Sequence, residues 1–225
     1  MSGIFYFILP PAAYLLGSIS SAVWVARSLH GINIREYGSG NAGATNILRV
    51  LGPKAALPVF IFDFLKGLLA VQFIRITPLI SPSDQYTGYE IVLGICAVLG
   101  HIFPLFASFK GGKGVATIAG VMFAIAPGPA AMCLATFVIV LAITGYVSLG
   151  SISAAALFPI FAIFVFGLWL RPENTTLTLK AFSVIASGTI IFTHRKNIER
   201  LRNKTESKIS FKKKSPEERL RKEKR

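Results

Sequence analysis

The chain has 225 residues, 53% apolar and only 15% charged, with a mean hydropathy of +0.61. That composition excludes an ordinary water-soluble globular domain and points to a membrane protein. Its 24 Lys and Arg against 10 Asp and Glu would suggest nucleic-acid binding in a soluble protein, but 14 of those basic residues lie from His194 onward. The excess is mostly a tail, and no nucleic-acid partner is expected.

Apolar segments occur at 5–26, 55–74, 89–106, 115–126, 130–143, 152–170 and 177–192. Each full-length crossing needs about 20 apolar residues, so the expected fold is all-α, a polytopic bundle of seven transmembrane helices. The first segment lacks a preceding Lys or Arg and is too long for a cleaved leader, so it reads as the first membrane helix. The segments 115–126 and 130–143 are short and joined by Pro127, Gly128 and Pro129. They either cross or dip in and return. Lys and Arg near helix ends tend to stay in the cytoplasm. Arg27, Arg35, Arg49, Lys54, Lys110, Lys113 and the basic tail together place 20 of 24 on one side. The opposite loops carry few charges: Arg75 with Asp84 and Glu90, then Arg171 with Glu173 and Lys180. This places the N-terminus outside, the tail in the cytoplasm, and the protein in the cell membrane as a multi-pass enzyme.

Within the second segment Asp63 and Lys66 are three residues apart and share a helical face, which predicts an ion pair acting as a strut between helices, with a catalytic carboxylate as the alternative. Cys96 and Cys133 sit in apolar runs and read as packing residues. No Cys or His set has metal-ligand spacing, so neither a metal nor another cofactor is expected. The domain organisation expected is a membrane-embedded unit over 1–206 and a basic cytoplasmic tail over 207–225. In that tail Ser215, Pro216, Glu217 and Glu218 resemble the start of a short helix. The tail is otherwise either solvated or drawn to anionic lipid headgroups.

Three polar clusters fall on the cytoplasmic side. The first is Tyr37-Gly-Ser-Gly-Asn-Ala-Gly-Ala-Thr-Asn-Ile-Leu-Arg49. Gly38, Gly40 and Gly43 allow backbone amides to approach an oxyanion closely, and Ser39, Asn41, Thr45 and Asn46 add directional donors. A helix starting near Asn41 would bring Thr45 and Arg49 to one face, where a guanidinium can grip phosphate with two hydrogen bonds. A flexible connector is the alternative. In the second cluster, which starts at Gly100, His101 lies near a Lys110-Gly111-Gly112-Lys113-Gly114 run that precedes an apolar helix. Amides at such a helix start, with two ammonium groups, suit a phosphate. Gly114 stands where a Walker A loop needs Ser or Thr, which disfavours a nucleotide triphosphatase. The third cluster, Thr193-His-Arg-Lys-Asn-Ile-Glu-Arg-Leu-Arg202, places His194 and Asn197 on one helical face. Ser148 or Ser151, from a charge-free inner segment, could line the same site.

These clusters suit anions, and the neighbouring apolar helices suggest that one substrate is lipid-like. The motifs around Ser39 and Arg49, around His101 and Lys113, and around His194 and Asn197, with Asp63-Phe-Leu-Lys-Gly67 and Tyr146-Val-Ser-Leu149, resemble those of the bacterial acyl-phosphate:glycerol-3-phosphate acyltransferase family (PlsY). The resemblance extends to about Glu206. It implies seven spans and transfer of a fatty acyl group from acyl phosphate to the 1-hydroxyl of glycerol 3-phosphate, giving lysophosphatidic acid and phosphate for phospholipid biosynthesis. It also implies that Ser39, Arg49, Lys113, His194 and Asn197 belong to the active site, and it links the second motif to glycerol 3-phosphate. Acyl phosphate, glycerol 3-phosphate and membrane lipids are thus the expected partners. The family usually continues Gly-x-Glu after the third motif; here Lys204 stands in place of the Gly, ahead of Glu206. The rival reading is a transporter of a phosphorylated metabolite, against which stands the absence of paired sequence halves.

Overall fold

The computed structural model describes residues 3–76, 84–170 and 177–209. Arg171, Glu173 and the cap at Ser215 to Glu218 lie outside the described residues. Ten α-helices appear among those described: α1 (Gly3–Gly17), α2 (Ser21–His30), α3 (Ala44–Val50), α4 (Pro53–Gln72), α5 (Asp84–Ile102), α6 (Val115–Ile125), α7 (Pro127–Thr144), α8 (Val147–Ile160), α9 (Leu177–Thr193) and α10 (Arg195–Arg202). No strand occurs among the described residues. Among the described residues five stretches are long and apolar enough to cross a bilayer, Ile4–His30, Pro53–Gln72, Gly88–Ala107, Pro127–Thr144 and Val147–Val165, and α9 with α10 makes a sixth if that bent pair is one span. The stretch Val147–Val165 includes the π-helical continuation of α8. The protein is a multi-pass membrane helix bundle.

All seven apolar segments are helical, with differences in detail. The first is broken at 18–20 into α1 and α2. Helix α6 has 11 residues, a rise of about 17 Å against a hydrocarbon core of about 30 Å. It stops at Ala126 because Pro127 opens α7. Helix α10 is bent by 58° from α9. Helix α5 begins at Asp84, which puts Glu90, expected in a loop, inside the helix and buried.

Helices α4 and α6 pack closely because glycines replace side chains at their crossing. A Cβ on Gly67 would sit 2.1 Å from the Thr117 carbonyl oxygen, and one on Gly120 would sit 2.0 Å from that of Phe64. Such small-residue contacts let membrane helices gain dispersion energy where water offers no hydrophobic drive. The expected Asp63–Lys66 ion pair is present, Nζ to Oδ1 2.8 Å, and both side chains are buried. It is a strut across the break in the first segment: Lys66 Nζ donates to the Ile19 carbonyl at 2.9 Å and Ser21 Oγ donates to Asp63 Oδ1 at 2.9 Å. A carbonyl and a hydroxyl that a continuous helix would have satisfied internally thereby find partners in the apolar interior.

Replacing Gly67 or Gly120 by Ala is expected to destabilise the bundle by about 1–3 kcal/mol, read as a lower unfolding temperature in detergent. Ala at Gly188, where nothing lies within 4 Å of a new Cβ, should leave that temperature unchanged. Equal behaviour of the three variants would refute the close-crossing argument.

Candidate active site

The first polar cluster folds around one side chain. Asn46, buried on α3, reaches back so that Nδ2 donates to the carbonyls of Ile34 (3.2 Å) and Tyr37 (3.1 Å), and its Oδ1 accepts the Ser39 amide (2.9 Å). Gly38 is left-handed, with φ of +56°, and a Cβ there would meet Asn46 Oδ1 at 2.4 Å. Only glycine fits. The helix starts at Ala44, later than the sequence suggests, because Gly43 is extended and serves as its N-cap. Thr45 and Arg49 nevertheless both line the cavity described below.

The second loop is fastened to the first by Arg35, whose Nη2 donates to the carbonyls of Ala107 (2.9 Å) and Lys110 (2.5 Å). Gly111 and Gly112 donate their amides to the carbonyls of Ile102 and His101, both at 3.1 Å. Those amides shape the loop and do not face a ligand. Lys110 points to solvent. Gly114, at φ +83°, then turns the chain into α6. The first intrahelical bond there is Ile118 N–H to the Gly114 carbonyl, so the amides before it have no partner within the helix. Gly114, Val115 and Ala116 line the cavity, and the positive end of the α6 dipole faces it.

The cavity holds about 520 Å³. From the expected set it gathers Ser39, Asn41, Gly43, Thr45, Asn46, Arg49, His101, Lys113, Gly114, Ser151, His194 and Asn197. Gly38, Gly40, Lys110, Gly111 and Gly112 do not line it. The Gly40 amide, like those of Gly111 and Gly112, is used within its loop, donating to the Tyr37 carbonyl at 3.0 Å. Asn46 borders the cavity with its amide spent on the loop. Leu48, Phe60, Phe137 and Val147 give the cavity an apolar wall.

His101 is buried, with Nδ1 3.6 Å from Asp63 Oδ1. Its ring braces the second loop, because a Cβ on Gly112 would lie 2.2 Å from His101 Nε2. His194 is the residue between α9 and α10. Its Nδ1 lies 2.8 Å from the Ile190 carbonyl oxygen, which can only accept, so Nδ1 carries the proton and Nε2 holds a lone pair. Burial, then the positive charge of Lys113, pushes its pKa down to about 4, and the ring is neutral near pH 7. The Lys113 ammonium donates to Asn197 Oδ1. Burial lowers Lys113 to about 8 in spite of the Glu206 carboxylate, with Arg200 and Arg49 adding to the decrease.

Glu206, whose role the altered third motif put in doubt, is a hub. Oε1 accepts from Ser148 Oγ (2.9 Å) and Asn197 Nδ2 (2.8 Å), and Oε2 accepts from Arg200 Nε (2.6 Å). Ser148, the alternative to Ser151, serves this carboxylate. Ser151 Oγ donates to the Val147 carbonyl at 2.9 Å. Ser207, Lys208 and Ile209 continue the cavity wall beyond the expected boundary at Glu206. Among the described residues no group of three or more His, Cys, Asp or Glu could hold a metal.

A multi-pass helix bundle whose cavity sets cationic side chains and free helix amides against an apolar wall has the chemistry to suit anionic, lipid-like reactants. The model of the family described as glycerol-3-phosphate acyltransferase matches residues 7–204. Curated glycerol-3-phosphate acyltransferases of Chlorobaculum parvum and Clostridioides difficile are 42% and 45% identical, covering 88% and 92% of this chain and 94% and 97% of their own length. Two crystal structures of PlsY (YgiH), an integral membrane glycerol 3-phosphate acyltransferase, superpose with TM-scores of 0.78 and 0.75 at 36% and 35% identity. They cover 91% and 92% of this chain and 96% of each neighbour, and hold that protein in its glycerol 3-phosphate and lysophosphatidic acid forms. The chain belongs to the glycerol-3-phosphate acyltransferase family and is an acyltransferase of phospholipid biosynthesis.

Glu206→Leu is expected to cost about 1–3 kcal/mol of stability by leaving the buried Asn197 amide and the Ser148 hydroxyl without their acceptor. The Glu206 pKa lies below the ordinary carboxylate value despite burial, because Arg200, Asn197 and Ser148 hydrogen-bond its charged form. The corresponding stability is present above the unfolded carboxylate pKa and disappears as pH falls through the lower folded value. Thermal unfolding of the wild type between pH 7 and pH 3 should show that loss, and Glu206→Gln should flatten it.

Proposed function

We propose that the protein transfers a fatty acyl group from acyl phosphate to the 1-hydroxyl of glycerol 3-phosphate, releasing lysophosphatidic acid and inorganic phosphate at the cytoplasmic face of the membrane. The observation that carries this reading is the meeting of Arg49, Lys113, Asn197 and His194 from three chain segments on one cavity that also has an apolar wall. The PlsY crystal structures, in glycerol 3-phosphate and lysophosphatidic acid forms, support the acceptor and the product. The basic residues around the cavity mouth and in the tail support the cytoplasmic side.

In this reading Arg49 and Lys113, with the α6 amides, take the phosphate of glycerol 3-phosphate. Two phosphate dianions about 6 Å apart repel by roughly 3 kcal/mol in water and by about 11 at an effective dielectric near 20. These cations offset that repulsion and hold the reactants at attack distance. The acyl carbon already bears a good leaving group, so attack is direct, and Ser39 donates a hydrogen bond instead of forming an acyl intermediate. His194 accepts from the 1-hydroxyl through Nε2 and aligns it. A base whose pKa is about 4 holds a proton poorly, so the proton passes to the departing phosphate as the carbon–phosphate oxygen bond breaks and the ester bond forms. Ser207, Lys208 and Ile209 belong with the membrane-embedded unit, since they line its cavity.

Arg49→Lys keeps charge but loses the two-pronged grip, and kcat/KM is expected to fall on the order of tenfold or more. Near-normal turnover would exclude that role. Lys113 binds phosphate as a cation, a form that prevails below about pH 8 and is lost above it. The value of kcat/KM should therefore decline as pH rises through about 8, and Lys113→Arg should move that limb upward at the expense of rate. Acyl phosphate and acyl-CoA, supplied in parallel with labelled glycerol 3-phosphate, test the donor: lysophosphatidic acid should form from the first alone.

A further inference from the structure

The segment after α10 does more than close the third motif. The chain turns at Lys204, with φ of +57°, and Thr205 and Glu206 donate their amides to the Arg200 carbonyl at 2.8 and 3.2 Å. Glu206 is then buried, and Ile209 donates its amide to the Gly145 carbonyl at 2.8 Å. Lys208 thus rides on a strap fixed on both sides, two residues after one anchor and one residue before the other. Its Nζ lies over the Tyr146 ring, 5.2 Å from the centroid, and its methylenes run beside Gly145, where a Cβ would come within 3.5 Å of them. Lys208 lines the cavity, yet it lies beyond residue 204, where the family match ends.

The charges of the cavity leave a position for it. The Lys113 ammonium is engaged with Asn197, and the Glu206 carboxylate is shared among Arg200, Asn197 and Ser148. Among the described residues Lys208 makes no ion pair. A ring face attracts a cation without consuming its three N–H donors. Part of the apolar wall lies on this side, Phe137 from α7 and Val147 from the first turn of α8, immediately after Tyr146, while Leu48 and Phe60 line the cavity from α3 and α4. A chain lying along Phe137 and Val147 brings its charged end to Lys208. Arg49, by contrast, stands on α3.

We infer that Lys208 binds the phosphoryl group of the acyl donor and retains it as the leaving phosphate, on a wall separate from the Arg49 site for the acceptor. This rests on the donor and acceptor assignment proposed above. No covalent step is added: Lys208 supplies charge and hydrogen bonds to oxygens that carry negative charge before and after transfer.

The test uses the purified full-length chain in detergent, with acyl phosphate varied at saturating glycerol 3-phosphate and then the reverse. Lys208→Gln is expected to raise KM for acyl phosphate about tenfold, in keeping with loss of one charge-assisted hydrogen bond, and to leave KM for glycerol 3-phosphate within about twofold. Lys208→Arg should restore most of the donor affinity, which a purely structural role for the side chain would not require. An unchanged donor KM in Lys208→Gln with a wild-type unfolding temperature overturns the inference, as does an equal rise in both KM values. A wild-type protein inactive with acyl phosphate but active with acyl-CoA would overturn the donor assignment itself, and the wild-type measurement alone reveals that outcome.

Discussion

A carboxylate buried at the edge of a membrane survives only where its charge is met by donors, and Glu206 meets that condition with groups from α8 and α10. Because desolvating an unpaired charge costs several kcal/mol, the side chains of Ser148, Asn197 and Arg200 have little freedom to turn elsewhere. Asn197 then has one face left for Lys113, so the loop before α6 is tied to the far end of the bundle. A Lys–Asn–Glu relay of hydrogen bonds links the cavity polar groups of α8, α10 and the loop before α6.

The result is a site with more cationic groups than anionic ones, prepared before any reactant arrives. Arg49, Lys113 and Lys208 border the cavity, against Glu206 and Asp63, each of which already has cationic partners. The depressed Lys113 basicity is the physical trace of that crowding: burial and neighbouring guanidinium groups disfavour its charge until an anion enters. In the proposed function, phosphate-bearing reactants supply the missing negative charge. Reactants that repel one another in water would, in that reaction, meet in the same 520 Å³, beside the apolar wall that would take the acyl chain of one of them.

The same economy of buried charge shapes the helices. The first apolar segment breaks because 18–20 turn, and the exposed polar groups are closed by Lys66, Asp63 and Ser21. Asp63 also stands 3.6 Å from His101, whose ring presses on Gly112. One intramembrane ion pair therefore braces both the first helix and the loop that carries Lys113.

Much of this was legible from residue types alone. Hydropathy marks the helical segments because the need to satisfy backbone groups in lipid is local to each segment. The three motifs and their resemblance name the family, and the spacings of Asp63 with Lys66 and of Thr45 with Arg49 hold because i, i+3 and i, i+4 neighbours share a helical face. Spacing does not say whether a donor is already spent. Gly111, Gly112 and Asn46 look like ligand groups in the sequence and are consumed by the fold, by carbonyls up to twelve residues away. Glu206 stands at the edge of the expected membrane unit and Lys208 looks like part of the tail, yet both line the cavity, since Ser148 and Gly145 lie close to this segment only after α8 and α10 have packed. The sequence by itself determined a membrane helix bundle with phosphate-handling chemistry. Which amides and charges remain available to a substrate was decided by the tertiary structure, because hydrogen-bond capacity is shared among partners brought together from distant positions along the chain.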